Sequence, residues 1–275
     1  MLTAVIALAG LGLLGSLGLA IAARVFAVET DPRAEEIEEV LPGANCGACG
    51  KPGCFDLARE IARGNADIDA CPVGGEKAAK AIGKIMGIDF SGGGERYVAL
   101  VLCAGDNKEA LKKYQYNGIY DCVSVDMFFG GDKACSYGCL GLGTCAGACP
   151  FGAIDILPEG IAKVDSDKCT GCGKCIEACP KGIIKLVPAG RNVHILCSSH
   201  DKGAAAKKKC RVACIGCQKC VKAAPEGAIH MDDFLAVINY DAEIPESVAG
   251  ECPMGTIKVF KTEDSAGQET AGGGS

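Results

Sequence analysis

The sequence predicts an α+β chain. Its parts are a single N-terminal transmembrane helix, a small domain organised by four cysteines, and two tandem cysteine-rich units, the second degenerate. Three observations carry this. Leu2 to Ala23 is an uncharged run of 22 residues. Twenty cysteines stand among the 275 residues, and sixteen fall into spaced blocks. The last two units repeat one pattern. "VLCAGDNKEALKK" from Val101 resembles "ILCSSHDKGAAAKKK" from Ile195, "CPFGAI" at Cys149 resembles "APEGAI" at Ala224, and "CPKGIIKL" at Cys179 resembles "CPMGTIKV" at Cys252.

At about 1.5 Å per residue the uncharged run spans roughly 33 Å, the reach of a bilayer core. A cleaved signal peptide is the alternative, but no basic stretch precedes the run and it exceeds the usual apolar region of such signals. Arg24 and Arg33 follow it. The positive-inside rule then places the remainder on the cytoplasmic side of a prokaryotic cell membrane. Gly12, Gly15, Ser16 and Gly18 would let a partner helix approach. Segment 1–28 is thus expected to be an anchor.

Aromatic residues make up 5% of the chain, Trp is absent and Gly numbers 39. Few large side chains are available for one big core, so small domains built around cofactors are expected, cofactor binding supplying folding energy. A net charge of −6 argues against a nucleic-acid partner. The stretch from Cys197 to Lys222 is the basic exception, with seven Lys and Arg against Asp201. It reads either as a solvated loop or as a docking patch for an acidic electron carrier.

Cys169, Cys172, Cys175 and Cys179-Pro180 form a C-x₂-C-x₂-C-x₃-C-P run. Thiolate is a soft ligand suited to iron–sulfur clusters, and in two-cluster units the fourth Cys of such a run serves the other cluster. Zinc sites usually pair two C-x₂-C elements across a longer loop, and disulfide frameworks belong to small secreted domains. The spacing fits [4Fe–4S] clusters better than either.

Domain 29–95 carries Cys46, Cys49, Cys54 and Cys71, one complete ligand set. Helices are expected over Phe55–Arg63 and Glu76–Met86, with a flexible linker at Ser91–Gly94. Domain 96–190 has an earlier block of Cys135, Cys139, Cys145 and Cys149-Pro150, in which Leu142 stands where the middle ligand usually falls. Cys135 is the obvious replacement. Cys135, Cys139, Cys145 and Cys179 are therefore expected to hold a second cluster, and Cys149, Cys169, Cys172 and Cys175 a third. Apolar runs at Phe151–Ile154 and Gly182–Ile184 read as strands covering them.

Domain 191–260 keeps Cys214, Cys217, Cys220 and Cys252 for a fourth cluster, while Ala224 and the stretch Asp241–Glu251 have lost the other set. About four clusters are expected in all. Cys103, Cys122, Cys197 and Cys210 read as small buried hydrophobes. Cys210 occupies the place of Cys135 and competes with Cys217 as a ligand, and the equivalence of Cys103 with Cys197 hints at a shared structural or redox role. The three histidines read as surface or satisfied residues, and the tail 261–275 as disordered. No phosphate-binding glycine loop and no nucleophile–base pair is evident, so no catalytic residues are expected.

The order "CGACGKPGC…CPVGG", "CSYGCLGLGTCAGACPFGAI", "CTGCGKCIEACPKG" behind the N-terminal run resembles the B subunit of the Rnf complex, the ion-translocating ferredoxin:NAD oxidoreductase. The likeness covers nearly the whole chain and is closest to long variants with a second ferredoxin-like unit. It implies a subunit that takes electrons from soluble reduced ferredoxin and passes them to other membrane subunits, where NAD is reduced and Na⁺ or H⁺ moved. Two alternatives stand beside it, a membrane-tethered polyferredoxin serving another dehydrogenase and a non-redox cluster or zinc scaffold.

Overall fold

The computed structural model describes residues 2–25, 31–90, 92 and 95–260, with side chains in the first helix given for Ile6 and from Ala9 onward. Ser91, Gly93 and Gly94 of the expected linker and the tail from Lys261 lie outside the described residues.

Leu2–Val25 forms a helix, α1. Among the described residues, however, no helix is long and apolar enough to cross a membrane. The expected transmembrane helix, and anchoring by one helix, are corrected accordingly. A bilayer core calls for about 20 consecutive, predominantly apolar residues. Lack of charge is a weaker property than that, and Gly10, Gly12, Gly15, Ser16 and Gly18 all stand within the described part of α1. The remainder of the chain is mixed α and β.

Three helices build the first small core. α2 (Pro32–Val40) begins where the Asp31 carboxylate accepts the Arg33 N–H at 3.0 Å, with Pro at the first turn. α3 (Cys54–Ala62) buries Leu57, Ala58, Ile61 and Ala62 on one face, and α4 (Gly75–Met86) buries Ala78, Ala79 and Ile82 before stopping at Gly87, whose φ is +69°. Ile37, Leu57, Ile61 and Ile82 are sealed between the three, each burial stabilising by about 1.5–3 kcal/mol. Helices of 9 to 12 residues are marginal alone, so this packing and the thiols at its edge hold the domain.

The rest of the described chain repeats one plan. In the first copy β1 (Tyr97–Val101) is followed by short helices α5 (Cys122–Asp126) and α6 (Thr144–Gly147), the hairpin β2 (Ile154–Leu157) and β3 (Ile161–Val164), α7 (Lys174–Ala178) and β4 (Ile184–Pro188). β1 pairs antiparallel with β4, Val101 opposite Ile184. The second copy has β5 (Val193–Ile195), α8 (Gly203–Lys209), α9 (Lys219–Ala223), the hairpin β6 (Ile229–Asp232) and β7 (Leu235–Ile238), a 3₁₀ turn at Glu246–Glu251 and β8 (Ile257–Val259). β5 pairs with β8, Ile195 opposite Ile257, as β1 does with β4.

Two-stranded ribbons are too small to stand alone. Their cores are completed by cysteines: Cys139, Cys145, Cys169 and Cys175 lie within the buried cluster that contains Val98, Ile154 and Ile184. Gly171, between Cys169 and Cys172, shows how tightly backbone wraps these sulfurs. Its φ is +71°, and a Cβ there would come within 2.7 Å of the Tyr97 carbonyl oxygen.

The two copies are joined directly. The Leu111 N–H donates to the Lys209 carbonyl at 2.9 Å, the Arg211 N–H to Glu109 at 3.0 Å and the Ala104 N–H to Leu196 at 3.0 Å. Ala110 packs with Ala206, Cys210 and Ala213 in a small core of its own.

Candidate cluster-binding sites

All twenty cysteines are free thiols, and the fold sorts them. In the helical domain Cys54 opens α3, and its N–H donates to Asn45 Oδ1 at 2.7 Å, fixing the loop that carries Cys46 and Cys49. Cys71 is buried, its sulfur accepts the Gly74 N–H at 3.3 Å, and burial raises its pKa, with Cys54 and Cys49 near enough to add to the rise.

In the second copy Cys214, Cys217, Cys220 and Cys252 line one pocket together with Ile195, Ala236 and Ile257. Burial raises the Cys252 pKa, but N–H groups of Met254, Thr256 and Ile257 and the Thr256 hydroxyl outweigh it and hold the thiol below its ordinary value. Cys149, Cys169, Cys172 and Cys175 also converge. Burial pushes Cys175 up to about 11, and the other three thiols all bear on it. The Ala99 N–H points at Cys169 Sγ at 3.3 Å and the Ala153 N–H at Cys149 Sγ at 3.4 Å.

The remaining expected set is not brought together. Cys139, Cys145 and Cys179 share a pocket, and the fourth thiol lining it is Cys122. Burial pushes Cys145 up to about 12, with Cys139, Cys122 and Cys179 next in effect. Cys135 lines a different cavity. Cys122 starts α5, whose Asp121 cap and whose Cys122 N–H bond to Thr144 Oγ1 at 2.8 Å aim it at this site. Sequence spacing missed it because it lies on the loop between Leu111 and Lys133, outside any cysteine block. Lys181, just past Cys179-Pro180, pins that loop by bonding the Gly130 and Ser136 carbonyls at 2.7 Å and Asp126 at 2.5 Å.

The spacing of the sulfurs tests which group they suit. Zinc holds thiolates at about 2.3 Å, which sets them about 3.8 Å apart. Among the described residues no three cysteine sulfurs all lie within 4.8 Å of one another; the sole close-set group of ligand atoms is His200, Asp232 and Asp233, all on the surface or near it. The thiols are too widely spread for a single ion and surround cavities instead, with N–H groups aimed at sulfur. That fits [4Fe–4S] clusters.

Of the histidines, His194 is buried, with Nδ1 2.9 Å from the Tyr240 hydroxyl oxygen. Burial lowers its pKa, so the folded state resists protonation that the unfolded chain accepts near pH 6.5. Its contribution to stability is complete above that pH and declines below it. Thermal melts between pH 5 and 8 should show the second copy losing stability on the acid side, and His194→Gln should flatten that slope. An unchanged slope would remove His194 as the cause.

Residues 41–73 match the family described as "Putative Fe-S cluster", and residues 134–183 match the 4Fe-4S dicluster domain. The chain is 47% identical to the B subunit of the Na(+)-translocating ferredoxin:NAD(+) oxidoreductase complex of Acetobacterium woodii, over 90% of this chain and 74% of the relative. It is 42% identical to the B subunit of the ion-translocating oxidoreductase complex of Methanosarcina acetivorans, over 88% and 91% of the two chains. Identity is also 42% to the proton-translocating counterpart of Clostridium ljungdahlii, over 91% and 89%. Clefts lined by thiols, a dicluster match and likeness over nearly the full length agree: the chain belongs to the family of B subunits of ion-translocating, Rnf-type oxidoreductase complexes.

Proposed function

We propose that this chain is the electron-entry subunit of its complex, taking electrons from reduced ferredoxin and handing them to other Rnf subunits, on which NAD is reduced and Na⁺ or H⁺ is moved. The observation that carries the reading is the set of pockets in each of which four thiols converge among mainly apolar side chains. A bound [4Fe–4S] cluster supplies a one-electron centre whose potential is tuned by hydrogen bonds to sulfur, burial and nearby charge.

Four ligand sets follow: Cys46, Cys49, Cys54 and Cys71; Cys122, Cys139, Cys145 and Cys179; Cys149, Cys169, Cys172 and Cys175; and Cys214, Cys217, Cys220 and Cys252. They divide among a helical domain, 29–95, and two ferredoxin-like units, 96–190 and 191–260. The cluster-bearing domains work at the cytoplasmic face of a prokaryotic cell membrane, held there by the other subunits.

Electrons enter at the second ferredoxin-like unit. Cys217 is exposed, and Lys202, Lys207, Lys208, Arg211, Lys219 and Lys222 around its segment are exposed as well. Lys209 alone is taken up, by Asp201 at 2.8 Å. A positive field there steers an acidic carrier and raises encounter rates roughly 10- to 10³-fold at low salt.

The test is stopped-flow reduction of the anaerobically purified complex by reduced ferredoxin, followed as bleaching near 400 nm. The rate should fall as salt rises. Lys207→Glu with Lys208→Glu should slow it about tenfold while leaving the iron content intact. Bleaching that ferredoxin cannot drive would overturn the entry role, and a rate indifferent to both salt and charge reversal would move the entry point elsewhere.

A further inference from the structure

Four cysteines are left over: Cys103, Cys135, Cys197 and Cys210. They line a single pocket, as Cys122, Cys139, Cys145 and Cys179 line theirs. Its other walls include Gly105, Ala110, Leu196 and Val212, with the polar residues Tyr137, Ser198 and Ser199 beside them. We propose that these four thiols hold a fifth [4Fe–4S] cluster at the junction of the two ferredoxin-like units. The inference rests on the cluster-binding reading of the other sixteen cysteines and extends it.

Symmetry is the first support. Each unit donates two thiols, and the two pairs are equivalent. Cys103 and Cys197 follow β1 and β5 in the repeated segments, while Cys135 and Cys210 each stand four residues before an equivalent ligand of their own unit, Cys139 and Cys214. One hydrogen bond is duplicated as well. The Cys139 N–H donates to Cys103 Sγ at 3.4 Å, and the Cys214 N–H donates to Cys197 Sγ at 3.4 Å. The Ser199 N–H adds a second bond to Cys197 at 3.5 Å. Backbone donors aimed at sulfur recur at Cys71, Cys149, Cys169 and Cys252, all proposed ligands.

The repeat also explains why Cys135 is available. Cys217 of the second unit aligns with Leu142 of the first, so the first unit lacks that ligand internally. Cys122 supplies it from an inserted loop: Cys135 follows Cys103 by 32 residues, whereas Cys210 follows Cys197 by 13. With Cys122 in place, Cys135 and Cys210 are both released to the junction.

Charge is the second support. Lys133 is 1% exposed, its ammonium donating to the Gly105 carbonyl at 2.9 Å and to Gly160 at 3.3 Å. Among the described residues it forms no ion pair. A buried cation needs a counter-charge nearby. Gly105 itself borders the cavity, and a Cβ on it would sit 3.0 Å from Cys210 Sγ and 3.7 Å from Cys103 Sγ. A cluster on four thiolates is a net anion beside this ammonium. On binding, a preassembled cluster exchanges four S–H bonds for four Fe–S bonds, four protons leave to solvent, and no oxidation state changes.

The position gives the cluster a role. A junction centre flanked by both units places a redox site between the proposed entry unit and the dicluster unit, where the lost second cluster of the entry unit would otherwise leave a gap.

Iron and acid-labile sulfide, counted on full-length chain purified anaerobically, test this. About 20 irons per chain are expected, four for each of five clusters. Cys103→Ala and Cys197→Ala, one from each unit, should each leave about 16, and the double variant should also leave about 16, because both thiols serve one cluster. Each should remove the same component from the paramagnetic resonance spectrum of the reduced protein. A wild-type count near 16 with Cys103→Ala unchanged would overturn the proposal, as would a double variant that loses about eight. If a variant does not fold, the wild-type count decides alone. Absence of bleachable absorption near 400 nm would instead defeat the electron-carrier reading itself.

Discussion

Cys122→Ala is expected to remove about four irons from the protein, and adding Cys145→Ala to it to remove no more. Cys135→Ala combined with Cys145→Ala should by contrast remove about eight, since those two thiols face different cavities. The sequence-spacing map, with Cys135 in the set of Cys139, Cys145 and Cys179, predicts the reverse grouping. Iron analysis of the three variants therefore decides between the maps without any activity measurement. The structural consequence should also be large. The Cys122 cavity is walled by Val101, Ile183 and Ile184, which belong to the main core of the first unit. Losing the bound group opens that core, and cluster binding is a folding contribution here. The variant should melt earlier than wild type and lose protection first around β1 and β4.

Most of the plan was legible from residue spacing, because thiols that bind one cluster must be close in space and short loops bring them there. The C-x₂-C-x₂-C-x₃-C-P run, the four-cysteine helical domain and the repeat were all visible that way. Two things escaped. α2 is absent from the sequence-based expectations, although Asp31-Pro32 is a helix-start signal and Ala34 and Ile37 sit three apart on its buried face. Cys122 escaped for a different reason: its partners are 17 or more residues away, and only the folded loop, pinned by Lys181, delivers it. The junction thiols show the same limit. Equivalence of Cys103 with Cys197 and of Cys135 with Cys210 could be read from the repeat, but that the two pairs face each other depends on how the units dock. The uncharged N-terminal run misled in the opposite direction, because absence of charge is not the continuous apolar length that a bilayer requires.

Lys133→Met is expected to lower the reduction potentials of the two nearest clusters while leaving the others in place. Burial raises the Cys103, Cys139 and Cys210 thiols, and the Lys133 charge opposes that rise, stabilising negative charge at these sulfurs. An electron added to a neighbouring cluster is one further negative charge, so the ammonium stabilises the reduced state. At a separation of about 8 Å and an effective dielectric near 20, the attraction is about 2 kcal/mol, which corresponds to ~90 mV for a one-electron couple. Potentiometric titration followed by paramagnetic resonance should show two components displaced downward by this order. Lys133→Arg, which keeps the charge, should restore much of the shift. The methionine variant also leaves the Gly105 and Gly160 carbonyls without their donor, at about 1–3 kcal/mol for each buried group left unpaired. A destabilised protein with unmoved potentials would mean that Lys133 only braces these loops. Displacement of a single component would mean that only the cluster on Cys122, Cys139, Cys145 and Cys179 feels the charge, and the counter-charge argument for the junction site would then fail.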